Sequence, residues 1–284
     1  MTSPQFTAAC VQLQCGRSID ANLETVTVLV REAAARGADY VQTPEQTGLL
    51  EANRNRLFDQ IGTEEEDRML PVLRDLAREL GIYLHIGSLA IRIAEDRAAN
   101  RAFVIGPDGA IRARYDKIHM FDVDLPGGES YRESATYTPG TRAEVVDLPW
   151  TRLGITICYD IRFAYLYRRL AHAGARVLTA PAAFTKVTGE AHWHLLQRTR
   201  AVETGCFVIS AAQGGTHENG RETYGHSLIV APWGEVLAEA GTEPEVILAE
   251  IDLARVEEAR ARIPALDHDR AIDGPAETPE RRAS

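Results

Sequence analysis

Two periodicities alternate along the chain. Residues 6–14, FTAACVQLQ, form an apolar run that predicts a strand. The next segment, SIDANLETVTVLVREAAARG, carries Leu23, Val26, Val28, Leu29 and Ala33 at helical spacing, with Gly37 where a C-terminal cap belongs. ADYVQTPE predicts a short buried strand ending at Pro44 and Glu45. TEEE at 63–66 has the form of a capping box and predicts a helix through LPVLRDLAREL, stopped by Gly81. IYLHIGSLAIRI and RAFVIG predict strands, and the turn Pro107-Asp108-Gly109 returns the chain into AIRARYDKIHMF. From Ala143 onward a strand, a turn and a second strand lead to Cys158. Then come a helix (AYLYRRLAHAG), a strand (ARVLTAP), a helix (GEAHWHLLQRTRAVETG) and a strand (CFVISAAQ). YGHSLIVAPWGEVLAEA predicts a hairpin turning at 232–234, EVILAEI a late strand and LARVEEARARI a late helix.

Two stretches have no period. DVDLPGGESYRESATYTPG, residues 122–140, is rich in Gly, Pro and Ser and predicts a long loop of the kind that is ordinarily functional. Beyond Pro264 the sequence is polar and aperiodic, predicting a tail that is mobile or docks on a neighbouring subunit. No linker composition or internal repeat divides the rest. The expectation is an α/β chain with one domain over 1–264 and a polar C-terminal tail at 265–284.

Composition narrows the function classes. The chain has 284 residues, 45% of them hydrophobic, enough for one large core. Its net charge of −10, from 31 Lys and Arg against 41 Asp and Glu, opposes binding to nucleic acid or to an anionic membrane. No apolar run approaches the roughly 18 residues that span a bilayer. The N-terminal MTSPQFTAACVQLQCG has no basic n-region, so a cytoplasmic location is expected. Four scattered cysteines do not make a disulfide framework, and no CxxC or HExxH spacing calls for a metal.

The chemistry-bearing residues fall at strand ends. Glu45, Lys117 and Cys158 each stand at or just past one, and in open α/β folds such ends meet around the ligand crevice. A thiol needs a base to become a nucleophile. A neighbouring carboxylate can take its proton, and burial is expected to raise that carboxylate's pKa and make it a better base. A lysine ammonium, together with the backbone N–H of Tyr159, can hold an oxyanion. Taken singly, the cysteine reads as a small core residue and the two charges as solvated surface groups.

Longer stretches carry a resemblance. TPEQTGL, RYDKIHMFDVDLPG, GITICYDIRF, PAAFTKVTGEAHWHLLQRTRAVETGCFVISAAQ and TYGHSLIVAPWGEVLAE together resemble the nitrilase (carbon–nitrogen hydrolase) superfamily, over about 6–264. The resemblance implies a four-layer αββα sandwich that pairs through its helical layers into a homodimer or higher homo-oligomer. It implies Glu45, Lys117 and Cys158 as the catalytic set, with no metal or organic cofactor. A second active-site glutamate is also implied, matching Glu133, with Glu129 as the competitor. Within the superfamily the patterns are most similar to amidases acting on deaminated glutathione and on α-ketoglutaramate. SAAQGGTHENGRETYGHS is nearer the first branch; Ala164 resembles the second, and Tyr165 replaces a glutamate found in both. The implied substrate is a small acidic amide. Arg162 is the first choice for its keto-acid carboxylate, with Phe184 as an apolar wall and Thr185 and Thr188 as hydroxyl contacts. Lys186 and Arg221 are candidates for a far carboxylate, although surface roles are the plainer reading. His192 and His194, two apart on a helix, do not share a face and read as hydrogen-bonded packing residues, and His226 reads as a structural hydrogen-bonding residue near the pocket rim. His119 stands where it could orient the lysine loop. A non-catalytic or redox-sensing protein of the same fold is the alternative of another class.

Overall fold

Strand β1 (Gln5–Gln12) serves two cores at once. Its period of two sends Phe6, Ala8 and Cys10 to one side and Ala9 and Val11 to the other. The computed structural model describes residues 5–125 and 128–274. After β1 come α1 (Ile19–Ala35), β2 (Tyr40–Gln42), α2 (Arg54–Phe58), α3 (Met69–Leu80), β3 (Tyr83–Ala94), β4 (Arg97–Ile105) and β5 (Ile111–Asp116). A small hairpin, β6 (Asp122–Asp124) and β7 (Ser130–Arg132), precedes β8 (Glu144–Asp147), β9 (Arg152–Ile155), α4 (Ala164–His172), β10 (Val177–Thr179), α5 (Lys186–Thr204) and β11 (Phe207–Ser210). The chain closes with β12 (Gly214–Thr216), β13 (Glu222–Tyr224), β14 (Leu228–Val230), β15 (Val236–Glu239), β16 (Glu245–Asp252) and α6 (Ala254–Arg262).

Two six-stranded sheets result, in the orders β16-β1-β2-β3-β4-β5 and β15-β14-β11-β10-β9-β8. Each has three parallel strands at its centre, β1-β2-β3 and β9-β10-β11, flanked by antiparallel strands. Val26, Val30 and Ala33 of α1 and Leu73, Leu76 and Ala77 of α3 cover the outer face of the first sheet. Leu166 and Leu170 of α4 and Trp193 and Ala201 of α5 cover that of the second. The layers are therefore α, β, β, α, and the αββα sandwich is the fold of this chain.

Polar side chains pin the sheets face to face. Ala211 N–H donates to Gln42 Oε1 at 2.8 Å, and the N–H and hydroxyl of Ser227 both donate to Gln12 Oε1 at 2.9 Å. Buried amides matched this way fix the register of the two sheets at little desolvation cost. At Gly87, a Cβ would lie 2.1 Å from the Thr43 carbonyl oxygen and 2.4 Å from Pro181 Cβ, so only glycine permits this approach.

The structure departs from the sequence reading in four places. Thr63–Glu66 forms a turn ahead of the helix, with Thr63 N–H on Glu66 Oε2 at 3.0 Å. Helix α3 starts only at Met69, where Asp67 accepts from the Met69 and Leu70 N–H groups at 2.9 and 2.7 Å. The capping logic was right in kind but displaced onto a neighbouring acid. Helix α2, a single turn capped by Asn53, and the hairpin β12–β13 are too short for periodicity to reveal. The long loop contains β6, β7 and a 3-10 turn at Glu133–Ala135; Pro126 and Gly127 lie outside the described residues. The first part of the tail lies along its own chain: Arg168 donates to the Ala265 carbonyl at 2.7 Å and pairs with Asp269, which also meets His172 at 2.6 Å. Residues 275–284 lie outside the described residues. Among the described residues no helix is long and apolar enough to cross a membrane.

Candidate active site

The ends of β2 and β5 and the 3-10 turn after β7 bring three charges into one buried cluster. Glu45, 4% exposed, follows β2; Lys117, 2% exposed, follows β5. Lys117 Nζ lies 2.8 Å from Glu45 Oε1 and 3.0 and 2.8 Å from the two carboxylate oxygens of Glu133. Glu129 is exposed and accepts instead from the Tyr131 hydroxyl at 3.0 Å, so the glutamate on the lysine is Glu133. The remaining lone pairs are filled. Ala183 N–H donates to Glu45 Oε2 at 2.9 Å, and Phe121 N–H donates to Glu133 Oε2 at 2.7 Å.

One participant escaped the sequence reading. The Asn100 amide donates to both glutamates, to Glu45 Oε1 at 2.9 Å and to Glu133 Oε1 at 3.1 Å, while its backbone carbonyl accepts the Lys117 N–H at 3.0 Å. Asn100 is almost fully buried in the middle of β4, among Ala98, Ala99 and Ala102, and no local pattern in the sequence marks it.

The second sheet supplies the sulfur. Cys158 opens a 3-10 turn, Cys158–Arg162, just past β9, and its backbone is left-handed at φ +49°. A non-glycine residue held there is strained, and Gln46 beside Glu45 is held likewise at φ +59°. The turn is fixed by the Cys158 N–H bonded to the Pro181 carbonyl at 2.9 Å and by a second residue the sequence reading passed over, Asp160. Asp160 has no solvent exposure. One oxygen accepts from Tyr115 Oη at 2.7 Å and Ile157 N–H at 2.9 Å; the other meets the His119 N–H at 3.0 Å and Nδ1 at 2.6 Å. Tyr115 and His119 flank Lys117, so this one carboxylate ties the lysine segment to the nucleophile turn. The Tyr159 N–H, next along that turn, has no backbone partner among the described residues.

The electrostatics decide where the proton rests. Burial by itself would raise the Glu45 pKa. The Lys117 charge and hydrogen bonds from the Cys158 thiol, Lys117 and the Ala183 N–H outweigh it and hold the carboxyl below its usual range. This corrects the expectation that burial makes Glu45 more basic. Burial and the Glu45 charge push the Cys158 thiol well up, against the opposing pull of Lys117. Burial favours a neutral Lys117, but Glu133 and Glu45 prevail and keep it charged well beyond its ordinary range. At rest the cluster is a neutral thiol, two carboxylates and an ammonium.

A cavity of about 550 Å³ opens onto this cluster, within the size range of small-molecule sites. Glu45, Lys117, Glu133 and Cys158 line it, and so do Tyr159, Phe184, Thr185 and Thr188. Thr185 caps α5 and bonds the Thr188 hydroxyl at 2.8 Å. Arg162 sits at the edge of the cavity and outside its lining. Its guanidinium lies over the rings of Tyr159 (5.9 Å) and Phe184 (5.4 Å) and reaches His192 Nδ1 at 3.3 Å. Lys186 is exposed and paired with Glu222 at 3.1 Å. Arg221 does line the cavity, over the Tyr131 ring at 5.3 Å, with its Nε buried and unpartnered among the described residues.

The carbon–nitrogen hydrolase family model matches residues 7–261. Over 271 residues the chain is 38% identical to omega-amidase NIT2 of Homo sapiens, covering 95% of this chain and 96% of that protein. It is 36% identical over 267 residues to the deaminated glutathione amidase of Yersinia enterocolitica, covering 93% of each. Among solved structures, the C. elegans NitFhit protein superposes with a TM-score of 0.88 at 34% identity, over 95% of this chain and 66% of that one.

Proposed function

We propose a substrate and a division of labour for this chain, which belongs to the carbon–nitrogen hydrolase family and is an amidase. The substrate is a small acidic amide whose acyl part is an α-keto diacid: deaminated glutathione, hydrolysed to α-ketoglutarate and cysteinylglycine as metabolite repair. The observation that carries this reading is the junction of Cys158, Glu45 and Lys117 on the floor of a cavity that also holds an arginine with a free buried N–H.

The resting proton is on sulfur, and the depressed Glu45 pKa keeps its carboxylate open to receive it. Attack of Sγ on the amide carbonyl transfers that proton to Glu45 as the C–S bond forms. The oxyanion is met by Lys117 Nζ and the Tyr159 N–H, already aimed and already desolvated. Collapse expels the amine, which takes the proton from Glu45 and leaves an acyl thioester on Cys158. Water, deprotonated by Glu45, adds to the thioester; the second tetrahedral intermediate releases the acid and returns the proton to sulfur. Glu133 holds Lys117 in place with Asn100. Phe184, Thr185 and Thr188 shape the acyl pocket. Arg162 at its edge serves the keto-acid end, and Arg221 takes the far carboxylate.

A second reading, omega-amidase action on α-ketoglutaramate with ammonia as the leaving group, uses the same machinery and is favoured by the similarity to the human relative. The deciding experiment measures α-ketoglutarate release from the two substrates side by side, with Cys158→Ala as the blank. Preference for deaminated glutathione by an order of magnitude or more in kcat/KM is expected. The reverse preference moves the assignment to the omega-amidase, and full turnover by the blank overturns the mechanism. The chain is also proposed to be a cytoplasmic homodimer joined through α5, whose exposed crest carries Val187, Leu195 and Val202; these recur eight and seven residues apart along one stripe.

A further inference from the structure

Away from the cavity, three separate elements converge on a second group of metal-ligating side chains. His194 projects from the flank of α5, His226 stands between β13 and β14, and Glu239 ends β15. Their ligand atoms all lie within 4.8 Å of one another. His194 Nε2 is 2.8 Å and His226 Nδ1 2.9 Å from the same oxygen, Glu239 Oε1. None of the three takes part in the amidase machinery described above.

We propose that His194, His226 and Glu239 form a binding site for one divalent first-row transition ion of the Zn²⁺ class.

The donor set fits that class: two imidazole nitrogens and one carboxylate oxygen suit a borderline cation, whereas Mg²⁺ and Ca²⁺ favour all-oxygen shells. Tetrahedral bonds of about 2.0–2.1 Å place neighbouring donors about 3.3 Å apart. The two nitrogen–oxygen separations need only open by about half an ångström to admit the ion. The ligands are held from behind. The His226 ring stacks on Tyr224 at 4.4 Å, and its carbonyl is anchored by the Trp193 indole N–H at 2.8 Å. His226 is also the third non-glycine residue with positive φ, at +54°.

Binding would exchange two N–H···O bonds for three bonds to the ion. Each imidazole that donates to Glu239 would move that proton to its other ring nitrogen, so the exchange itself loses no proton. The cluster is half-exposed, which leaves the fourth position to water. The ion would clamp α5 to the β14–β15 hairpin. That clamp is one residue from Trp193, whose ring meets Phe184 of the cavity wall at 5.0 Å.

The test uses tag-free full-length protein carrying Cys158→Ala, which removes the competing thiol. Calorimetry with Zn²⁺ is expected to show one ion per chain. Co²⁺ is expected to give visible d–d bands without a thiolate charge-transfer band, and Zn²⁺ to raise Tm. His194→Ala and Glu239→Gln alter half-exposed side chains; each is expected to weaken binding at least tenfold and to abolish the Tm rise. Failure to bind Zn²⁺ at about 100 µM, a Kd corresponding to only about −5.5 kcal/mol, would overturn the proposal. Equal binding by the His194→Ala/Glu239→Gln double variant would do the same.

Discussion

The two sheets contribute unlike things to the catalytic cluster. The first supplies all of its charge: Glu45 after β2, Lys117 after β5, Glu133 from the loop beyond, and the Asn100 amide between them. The second supplies the sulfur and, apart from it, backbone: the Ala183 N–H on Glu45 and the Tyr159 N–H beside Cys158. The first half therefore sets one ammonium against two carboxylates and still draws on the Ala183 N–H of the second, while the second half holds a thiol that is inert until the first is packed against it. The other three cysteines show what such a thiol is without that partner. Cys10, Cys15 and Cys206 are buried with raised pKa values, Cys15 to about 12, and none of them touches a carboxylate in these hydrogen bonds. Burial makes a cysteine quiet; the neighbouring Glu45 makes one of them useful.

That division can be attacked at its centre. Lys117→Met removes the cation that bridges Glu45 and Glu133 and should cost about 3–5 kcal/mol of stability, read from urea unfolding, because both carboxylates are left uncompensated. Turnover should fall by at least about 10²-fold as well, through loss of an oxyanion donor. Unchanged stability would mean that the first sheet does not depend on its own charge balance. A smaller effect is expected where the two halves are joined. In Asp160→Asn an NH₂ group must face either the Tyr115 and Ile157 donors or the His119 donors, for a loss of about 1–3 kcal/mol. Because the nucleophile turn shifts relative to Lys117, kcat should drop about tenfold while KM holds. A change in KM alone would point to a role at the substrate instead.

The smallest effect is in the pH dependence. The folded Glu45 pKa is lowered, so its contribution to stability is present above the unfolded carboxylate value and is lost as pH falls through the folded one. The folded Lys117 pKa is raised, so its contribution is fully present below the unfolded lysine value and is lost only as pH rises through the folded one. Both are intact at neutral pH. The acid limb of kcat/KM should accordingly fall below the usual carboxylate range; a limb near pH 6–7 would show that Glu45 is not the ionised base in the free enzyme.

Much of this site was legible because its members punctuate strands. Glu45, Lys117 and Cys158 each stand at or just past the end of a predicted strand, and the α/β alternation says that such ends gather. Asn100 and Asp160 were illegible for the opposite reason. An amide inside a strand and an acid two residues past a cysteine look like solvent-facing positions. Their burial is created by partners 33 to 55 and 41 to 45 residues away. The inverted basicity of Glu45 has the same origin, since desolvation is a local expectation and a lysine at 2.8 Å is a tertiary fact. In the sequence Arg221 and Lys186 read alike, as candidates for the far carboxylate with surface roles the plainer reading, because nothing local distinguishes them. Only the fold puts one in the cavity wall and the other in solvent.

β16, near the end of the chain, pairs with β1 at its beginning, through eight consecutive residue pairs from Gln5↔Asp252 to Gln12↔Glu245. During synthesis at about 5–20 residues per second, β1 therefore waits on the order of 10–50 s for the strand that covers its edge. Over that interval an apolar strand offers unpaired N–H and C=O groups to any other extended chain. A nascent polypeptide of this design is most vulnerable to aggregation at β1, and a premature stop before residue 245 leaves that edge open for good.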